Sequence, residues 1–300
     1  MLRDDDFVID DENFDATCRN QKIDGLPVQY TLIPRDYNAH PVGSYNKGPG
    51  MRAVTDVPLI PMEEWPERIK ELAATKSQIS DFRNVSGPNG GPIPSLDQNG
   101  YGYCWFHSPT SAAMLLRAIA GLPYVRLSAF AGACIIKNFA DQGGWGAAGL
   151  DFFVNGLTKN GRKYLGVPSV QFWPEKSTNR ALANDDAVWQ DALNHVITEG
   201  FIDLDAAAYD RKLSIQQQGS CLLHKIPTVL DFNHWSHSVA GMDLVDVDPG
   251  LSARDPMRYG QRIWNSWKDS WGANGTGVLT RNKAWADGAT APRAIKVSMA

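Results

Sequence analysis

One cysteine lies at a change from loop to helix that would activate its thiol. Residues 98–108 read Gln-Asn-Gly-Tyr-Gly-Tyr-Cys-Trp-Phe-His-Ser, and strong helix formers follow from Ser111 onward. Cys104 is therefore expected near a helix N-terminus, where unpaired N–H groups and the helix dipole favour the thiolate over the thiol. Because the thiolate is the species that attacks carbonyl carbon, Cys104 is a candidate nucleophile.

A cysteine nucleophile needs a base for its proton and a third group that holds this base in one tautomer. His237 begins the run His-Ser-Val-Ala-Gly-Met, which is typical of a strand, and is our candidate base. Asn265 is the candidate orienting group, with Trp267 placed to keep water from the bond between them. Gln98 can donate a side-chain N–H, together with the Cys104 backbone N–H, to the oxyanion that forms during acyl transfer.

The composition is that of an ordinary globular protein without a strong electric field. Of 300 residues, 43% are hydrophobic and 21% charged, and the formal net charge is -4. No lysine- or arginine-rich run is present to attract phosphates, and no apolar run reaches the roughly 18 residues of a membrane span. We therefore expect neither nucleic acid nor membrane among the partners.

The four cysteines do not form a disulfide framework. Their spacing is wide and irregular, which is typical of a reducing compartment, and the first residues lack the charged-then-apolar pattern of a secretion signal. The sequence therefore predicts a cytoplasmic or virion-associated protein. These cysteines are Cys18, Cys104, Cys134 and Cys221.

Hydrophobic periodicity divides the chain into helical and strand-rich parts. Helical spacing recurs at residues 110–120, 128–140, 149–159 and 186–198, and a short helix is predicted at 62–74. Short runs rich in Val, Ile and Trp predict strands at 227–232, 238–247, 262–264, 277–280 and 294–299. Residues 1–60, with acidic clusters and scattered Pro and Gly, are predicted to be an extended arm.

These residues together resemble the papain-like (C1) cysteine peptidase family. Gln98 six residues before Cys-Trp, His237 in His-Ser-Val-Ala, and Asn265 in Asn-Ser-Trp followed by Trp-Gly-Ala-Asn-Gly occur in the order of the family's motifs. Gly143 and Gly144 resemble the double glycine whose backbone pairs with an extended substrate. The resemblance covers about residues 92–281.

The resemblance implies a two-lobed α+β fold and a cysteine endopeptidase. A helical lobe (about 95–200) would pack against a β-rich lobe (about 205–300) within a catalytic domain of residues 61–300. Cys104, His237, Asn265 and Gln98 would be catalytic and Trp267 substrate-binding. A polypeptide would be the substrate and its peptide or isopeptide bond would be hydrolysed, without metal or organic cofactor.

The chain also departs from the family pattern. Tyr101 and Gln142 stand where secreted members carry a disulfide, so that bridge is absent. Residues 246–262 form a longer connection than is usual, and residues 1–60 contain no recognisable inhibitory pro-region. The subsites on the β-rich side therefore do not follow from the resemblance.

Two other functions fit the same residues. The fold is compatible with a structural or binding component of a larger assembly such as a virion, with peptidase activity vestigial or used once and residues 1–60 contacting a protein partner. Acyl transfer to an amine in place of water would use the same nucleophile and base.

Two further motifs have simpler explanations. The spacing of Cys104 and His107 with His234 and His237 is compatible with zinc, although a buried hydrogen bond is the simpler role for His107. The glycine pattern that begins at Gly144 matches a dinucleotide fingerprint in letters only, because no strand precedes it. We interpret it as a turn that opens a helix.

Overall fold

Helices and strands alternate along the chain in an α+β arrangement. The computed structural model describes residues 2–45, 57–204 and 209–294. The α-helices in these ranges are α1 (Phe14–Cys18), α2 (Trp65–Ala74), α3 (Ile79–Val85), α4 (Cys104–Ile119), α5 (Ala129–Lys137), α6 (Gly146–Val154), α7 (Asp186–Ala192) and α8 (Arg211–Leu223). The strands are β1 (Val8–Ile9), β2 (Lys22–Ile23), β3 (Leu26–Pro27), β4 (Leu157–Lys159), β5 (Arg162–Tyr164), β6 (Phe201–Asp203), β7 (Thr228–Phe232), β8 (His237–Asp246), β9 (Tyr259–Trp264), β10 (Thr276–Leu279) and β11 (Gly288–Pro292).

Helix α4 is the central helix of the core. It begins directly after a turn in which Asn99 and Gly100 have left-handed backbone angles (φ 50° and 75°), which end any helical path from the N-terminal side. Every residue from Cys104 to Ala118 is buried, as expected for a helix that is apolar on most of its faces. One end of α4 therefore presents Cys104 at a fixed position against strand β8.

The described strands form one seven-stranded sheet in the order β1-β10-β9-β8-β7-β11-β6, together with two separate hairpins. Strand β8 is central and buried along its whole length, and it pairs antiparallel with β7 and β9. Ala240 lies opposite Trp264, so the residue that follows β9, Asn265, lies beside the beginning of β8. The sheet register thus brings Asn265 to His237.

Part of the predicted arm belongs to the sheet. Strand β1 pairs parallel with β10, with Val8 opposite Val278. The Arg262 guanidinium donates to Asp6 and, from Nε at 3.0 Å, to Asp243, and all three side chains are at most 5% exposed. Residues 1–60 therefore contain a sheet strand, helix α1 and a hairpin as well as extended chain.

The predicted helices, and the strands predicted within the described residues, occur with shifted ends. The helix predicted at 149–159 ends at Val154, because Gly156 has φ 70° and the chain enters the β4–β5 hairpin. Helix α8 and strands β6 and β11 were not predicted. The strand predicted at 294–299 lies almost wholly outside the described residues, as do residues 46–56 of the arm. Among the helices described, none has the length and apolar character needed to cross a bilayer.

The contribution of the buried Asp6–Arg262 ion pair to stability can be tested by substitution. Asp6→Asn leaves Arg262 with one carboxylate in a buried setting, so we expect the free energy of unfolding to fall by about 3 kcal/mol. Asp15→Asn is the matched control, because the Asp15–Arg19 pair is exposed and we expect its loss to cost less than about 0.5 kcal/mol. Urea unfolding measures both, and equal effects of the two substitutions would contradict the anchoring role of Asp6.

Candidate active site

The imidazole of His237 is held by an amide whose orientation the structure fixes. Asn265 Oδ1 lies 2.8 Å from His237 Nε2 and also accepts a hydrogen bond from the Ser266 backbone N–H at 2.8 Å. A backbone N–H can only donate, so this amide atom is the oxygen and His237 must donate to it from Nε2. In the neutral ring the proton is thus on Nε2, and Nδ1, which has no hydrogen-bond partner, is free to act as a base.

Tryptophans enclose the His237 ring. The Trp267 ring lies 4.6 Å away between centroids, tilted by 34°, and Trp235 lies 4.8 Å away on another side. This burial lowers the pKa of His237 to about 3, while the hydrogen bond to Asn265 acts in the opposite direction. His237 is therefore neutral at neutral pH.

Gln98 is fixed by the residue next to Asn265. Its Oε1 accepts a hydrogen bond from Ser266 Oγ at 2.8 Å, and its Nε2 donates to the Tyr101 carbonyl at 3.0 Å. One N–H of the Gln98 amide is thus used, and the second stays available for an oxyanion. Sequence reasoning gave Ser266 no role, although it is part of the Asn-Ser-Trp motif.

The Cys104 thiol lies at the start of α4, completely buried. Burial raises the pKa of Cys104 to about 12, and the nearby Ser238 backbone and Thr31 hydroxyl, which favour the thiolate, do not compensate. In this covered state Cys104 is therefore a neutral thiol, and not the thiolate that the sequence suggested. Desolvation outweighs the effect of the helix terminus here.

Residues 30–33 of the arm run across the site, with the Thr31 hydroxyl beside the Cys104 thiol. The Leu32 N–H donates to the Ser236 carbonyl at 3.1 Å, and the Ile33 N–H donates to the Gly144 carbonyl at 2.9 Å. These acceptors lie on the two walls of the site, one beside His237 and one in the double glycine. The arm thus occupies the groove that a polypeptide would need, and Pro34 favours the extended conformation of Ile33.

Neither glycine of the predicted substrate groove has room for a side chain, Gly143 because of the arm and Gly144 because of Trp105. A Cβ on Gly143 would overlap the Thr31 carbonyl oxygen, and one on Gly144 would lie 2.6 Å from the Trp105 ring. Trp267, on the other wall, contacts the arm residue Tyr30 edge to face at 6.0 Å. The residues predicted to bind substrate therefore bind the arm in this structure.

A polar chain that the sequence analysis missed lies next to the site. The Ser238 hydroxyl donates to Asp231 Oδ1 at 2.6 Å and lies 2.6 Å from the Ser108 hydroxyl. Asp231 Oδ2 accepts from the Gly146 N–H at 2.8 Å, which ties β7 to the start of α6. Partial burial raises the pKa of Asp231 to about 6. The sequence signal was Ser238, which stands where the family motif has Ala.

The residues of the zinc-like and dinucleotide-like motifs have structural roles. In the described ranges, no group of three or more His, Cys, Asp or Glu side chains is placed to hold a metal ion. His107 Nδ1 lies 2.8 Å from the Tyr103 carbonyl, which is the buried hydrogen bond expected as its simpler role. Gly146 opens helix α6, as the turn interpretation predicted.

The remaining thiols are buried and unpaired. Cys18, Cys134 and Cys221 are free, and burial raises the pKa of each above its ordinary value, to about 11 for Cys134 and about 12 for Cys221. They are inert at neutral pH in this state.

Comparison with known proteins identifies the fold. No protein-family model matches the chain, and no curated protein matches it in sequence. One similar solved structure comes from a study of the mite allergens Blo t 1 and Der p 1. It is 12% identical to this chain, the match covers 88% of this chain and 96% of that chain, and the TM-score is 0.50. Xylellain, a cysteine protease from Xylella fastidiosa, is 18% identical, with 68% and 84% covered and a TM-score of 0.49.

A third similar structure is the bromelain protease from Ananas comosus. It is 15% identical, with 72% of this chain and 97% of that chain covered and a TM-score of 0.49. At these identities the likeness concerns the fold alone. The α+β papain-like fold expected from the sequence is confirmed.

The buried neutral His107 predicts a pH dependence of stability. Burial lowers its folded-state pKa from 6.5 to about 4, so the unfolded chain binds the proton first. Its contribution is therefore present above about pH 6.5 and lost as the pH falls towards 4. His107→Gln removes this titration, and the slope of unfolding free energy against pH should become shallower by about 1.4 kcal/mol per pH unit in that window. Parallel curves for the two proteins, measured by urea unfolding, would contradict it.

Proposed function

We propose that this chain, which has the papain-like fold, is a cysteine peptidase whose nucleophile is covered by its own arm. The observation that carries the proposal is that Asn265 Oδ1 accepts two hydrogen bonds, which leaves His237 Nδ1 as a free basic nitrogen. His237 begins strand β8, and the next residue, Ser238, lies beside the Cys104 thiol. His237 Nδ1 makes no hydrogen bond in this covered state, and the proposal is that nucleophile, base and orienting group, from three distant parts of the chain, act together in the open site.

The first half of the proposed reaction forms a thioester. His237 Nδ1 takes the proton of the Cys104 thiol, and the sulfur attacks the substrate carbonyl carbon. The oxyanion accepts hydrogen bonds from the free N–H of Gln98 and the Cys104 backbone N–H. As the tetrahedral intermediate collapses, the C–N bond breaks and His237 gives its proton to the leaving amine.

The second half returns the free enzyme. His237 Nδ1 takes a proton from water, whose oxygen attacks the thioester carbonyl, and the same oxyanion donors act again. The C–S bond then breaks, the carboxylic acid leaves, and the Cys104 thiol is restored. In both halves the hydrogen bond to Asn265 stabilises the charged imidazole. The reaction uses no metal or organic cofactor.

Substrate and arm would compete for the same groove. An extended polypeptide would pair with the Gly144 backbone and lie over Gly143, with Trp267 forming the opposite wall. These are the groups that now bind residues 30–33 of the arm. Activity therefore requires that this segment move. Its displacement would also admit water to Cys104 and His237, which favours their ionised pair.

Opening of the arm should switch on both thiol reactivity and hydrolysis. Leu32→Pro removes the N–H that bonds to the Ser236 carbonyl, so we expect iodoacetamide to label Cys104 about tenfold faster than in the unmodified chain. The exposed residue Gln29 offers the control, since Gln29→Pro puts proline into the same segment away from that bond. Mass spectrometry of the labelled peptides locates the reactive thiol.

Hydrolysis is measured on the same proteins with a fluorogenic peptide mixture. Leu32→Pro should cleave faster than the Gln29→Pro control, and adding Cys104→Ala should abolish cleavage. An opened protein that is folded by circular dichroism, labels all four thiols equally slowly and cleaves nothing would refute the peptidase proposal. It would favour a binding module instead. Trapping of an added amine in the product would identify acyl transfer.

Substitution of Gln98, the proposed oxyanion donor, should lower kcat more than substitution of Ser266, whose hydroxyl orients Gln98. Gln98→Ala removes a donor, and we expect kcat to fall by about 10²–10³. Ser266→Ala leaves the donor in place but removes the hydrogen bond that orients it, so a smaller fall of about tenfold in kcat is expected with KM nearly unchanged. Steady-state kinetics in the opened background measures both, and a Ser266→Ala effect confined to KM would contradict an orienting role.

A further inference from the structure

The arm places an arginine in a buried acidic pocket beyond the double glycine. Arg35 Nη1 and Nη2 donate to Asp203 Oδ1 and Oδ2 at 2.6 and 2.8 Å, a bidentate pair in which the side chains are 6% and 0% exposed. Arg35 follows Ile33, the residue bonded to Gly144, by two positions. The same segment therefore fills the groove and this pocket.

The walls of the pocket have further capacity for a cation. Thr290 lies opposite Asp203 in the neighbouring strand β11, is 3% exposed, and its hydroxyl has no hydrogen-bond partner. Asp231 is a second carboxylate nearby, and the charge of Arg35 acts on it. No Lys or Arg side chain among the described residues lies within ion-pair distance of Asp231.

Geometry relates this pocket to the proposed catalytic groove. An extended chain advances about 3.3–3.6 Å per residue. A polypeptide that pairs with Gly144 in the way Ile33 does would therefore reach Asp203 with the residue two positions along, about 7 Å away. Asp203 also accepts a hydrogen bond from the Gly43 backbone N–H at 2.7 Å, but Arg35 is the only ion-pair partner found for it in the described residues. When Arg35 leaves, the carboxylate loses its counter-charge, which is strongly unfavourable while it stays buried. A cationic side chain of the incoming polypeptide would remove this penalty.

We propose that Asp203, supported by Asp231 and Thr290, forms a subsite that selects an arginyl side chain of the polypeptide substrate, and that Arg35 occupies it in the covered state. The proposal rests on the peptidase function proposed above. Arginine fits better than lysine, because its planar fork matches both oxygens of Asp203. Arg35 thus imitates the substrate side chain.

Chemical rescue tests the pocket independently of catalysis. Arg35→Ala removes the cation from the pocket and leaves Asp203 with the Gly43 N–H but without a counter-charge, so millimolar Nα-acetyl-arginine amide should raise the unfolding temperature of this variant. Nα-acetyl-citrulline amide has nearly the same shape without the charge and should have little effect. The double variant Arg35→Ala, Asp203→Asn has no carboxylate at position 203, so the arginine compound should no longer raise its unfolding temperature. Equal responses to the two compounds, or none, would overturn the subsite.

Peptide binding then places the pocket in the groove. In a protein with Leu32→Pro, Arg35→Ala and Cys104→Ala, a peptide with arginine at the matching position should bind about tenfold more tightly than its citrulline analogue. Asp231→Asn should weaken this preference, whereas the control Asp186→Asn, whose side chain is 91% exposed, should not. Equal binding of both peptides would overturn the selectivity. Cleavage of either peptide by the same protein with Cys104 intact would still support the peptidase.

Discussion

The acceptance of two hydrogen bonds by one amide oxygen is the constraint on which the site depends. Asn265 Oδ1 receives the Ser266 backbone N–H and His237 Nε2, both at 2.8 Å. The first bond fixes the amide, and the amide fixes the imidazole tautomer. Through the hydroxyl of Ser266 the same turn also orients Gln98, so the proposed base and the proposed oxyanion donor are positioned by adjacent residues after β9.

Burial gives this site electrostatics opposite to those of a reactive thiolate. The start of α4 favours a negative charge on Cys104, yet burial raises the pKa of Cys104 to about 12 and lowers that of His237 to about 3. Both groups are neutral, and a neutral pair needs no counter-charge beneath the arm. The covering segment thus acts on the proton distribution of the site as well as on access to it.

The sequence predicted the site residues better than their state. Motif order singled out His237 and Asn265, but β8 and β9 are buried at every position, so no alternating pattern in the sequence gives the register that joins the two residues. Strand β1 was missed because two residues give no detectable periodicity. The neutral state of Cys104 was missed because its burial involves residues 30–33, whose path across the groove no local pattern reveals. Asp203 and Thr290 of the proposed pocket come from β6 and β11, neither of which was predicted.

The arm is held most strongly on either side of the segment that covers Cys104. Before it, Asp6 pairs with buried Arg262, and after it, Arg35 pairs with buried Asp203; breaking either pair costs about 3–5 kcal/mol. The covering residues Leu32 and Ile33 each donate one backbone hydrogen bond, worth about 0.5–1.5 kcal/mol, and burial of the Leu32 side chain adds about 1.5–3 kcal/mol. Local opening over the nucleophile therefore costs less than loss of the arm. Arg35 would leave only in exchange for another cation, which couples full displacement of the arm to an arginine-containing substrate under the proposed selectivity.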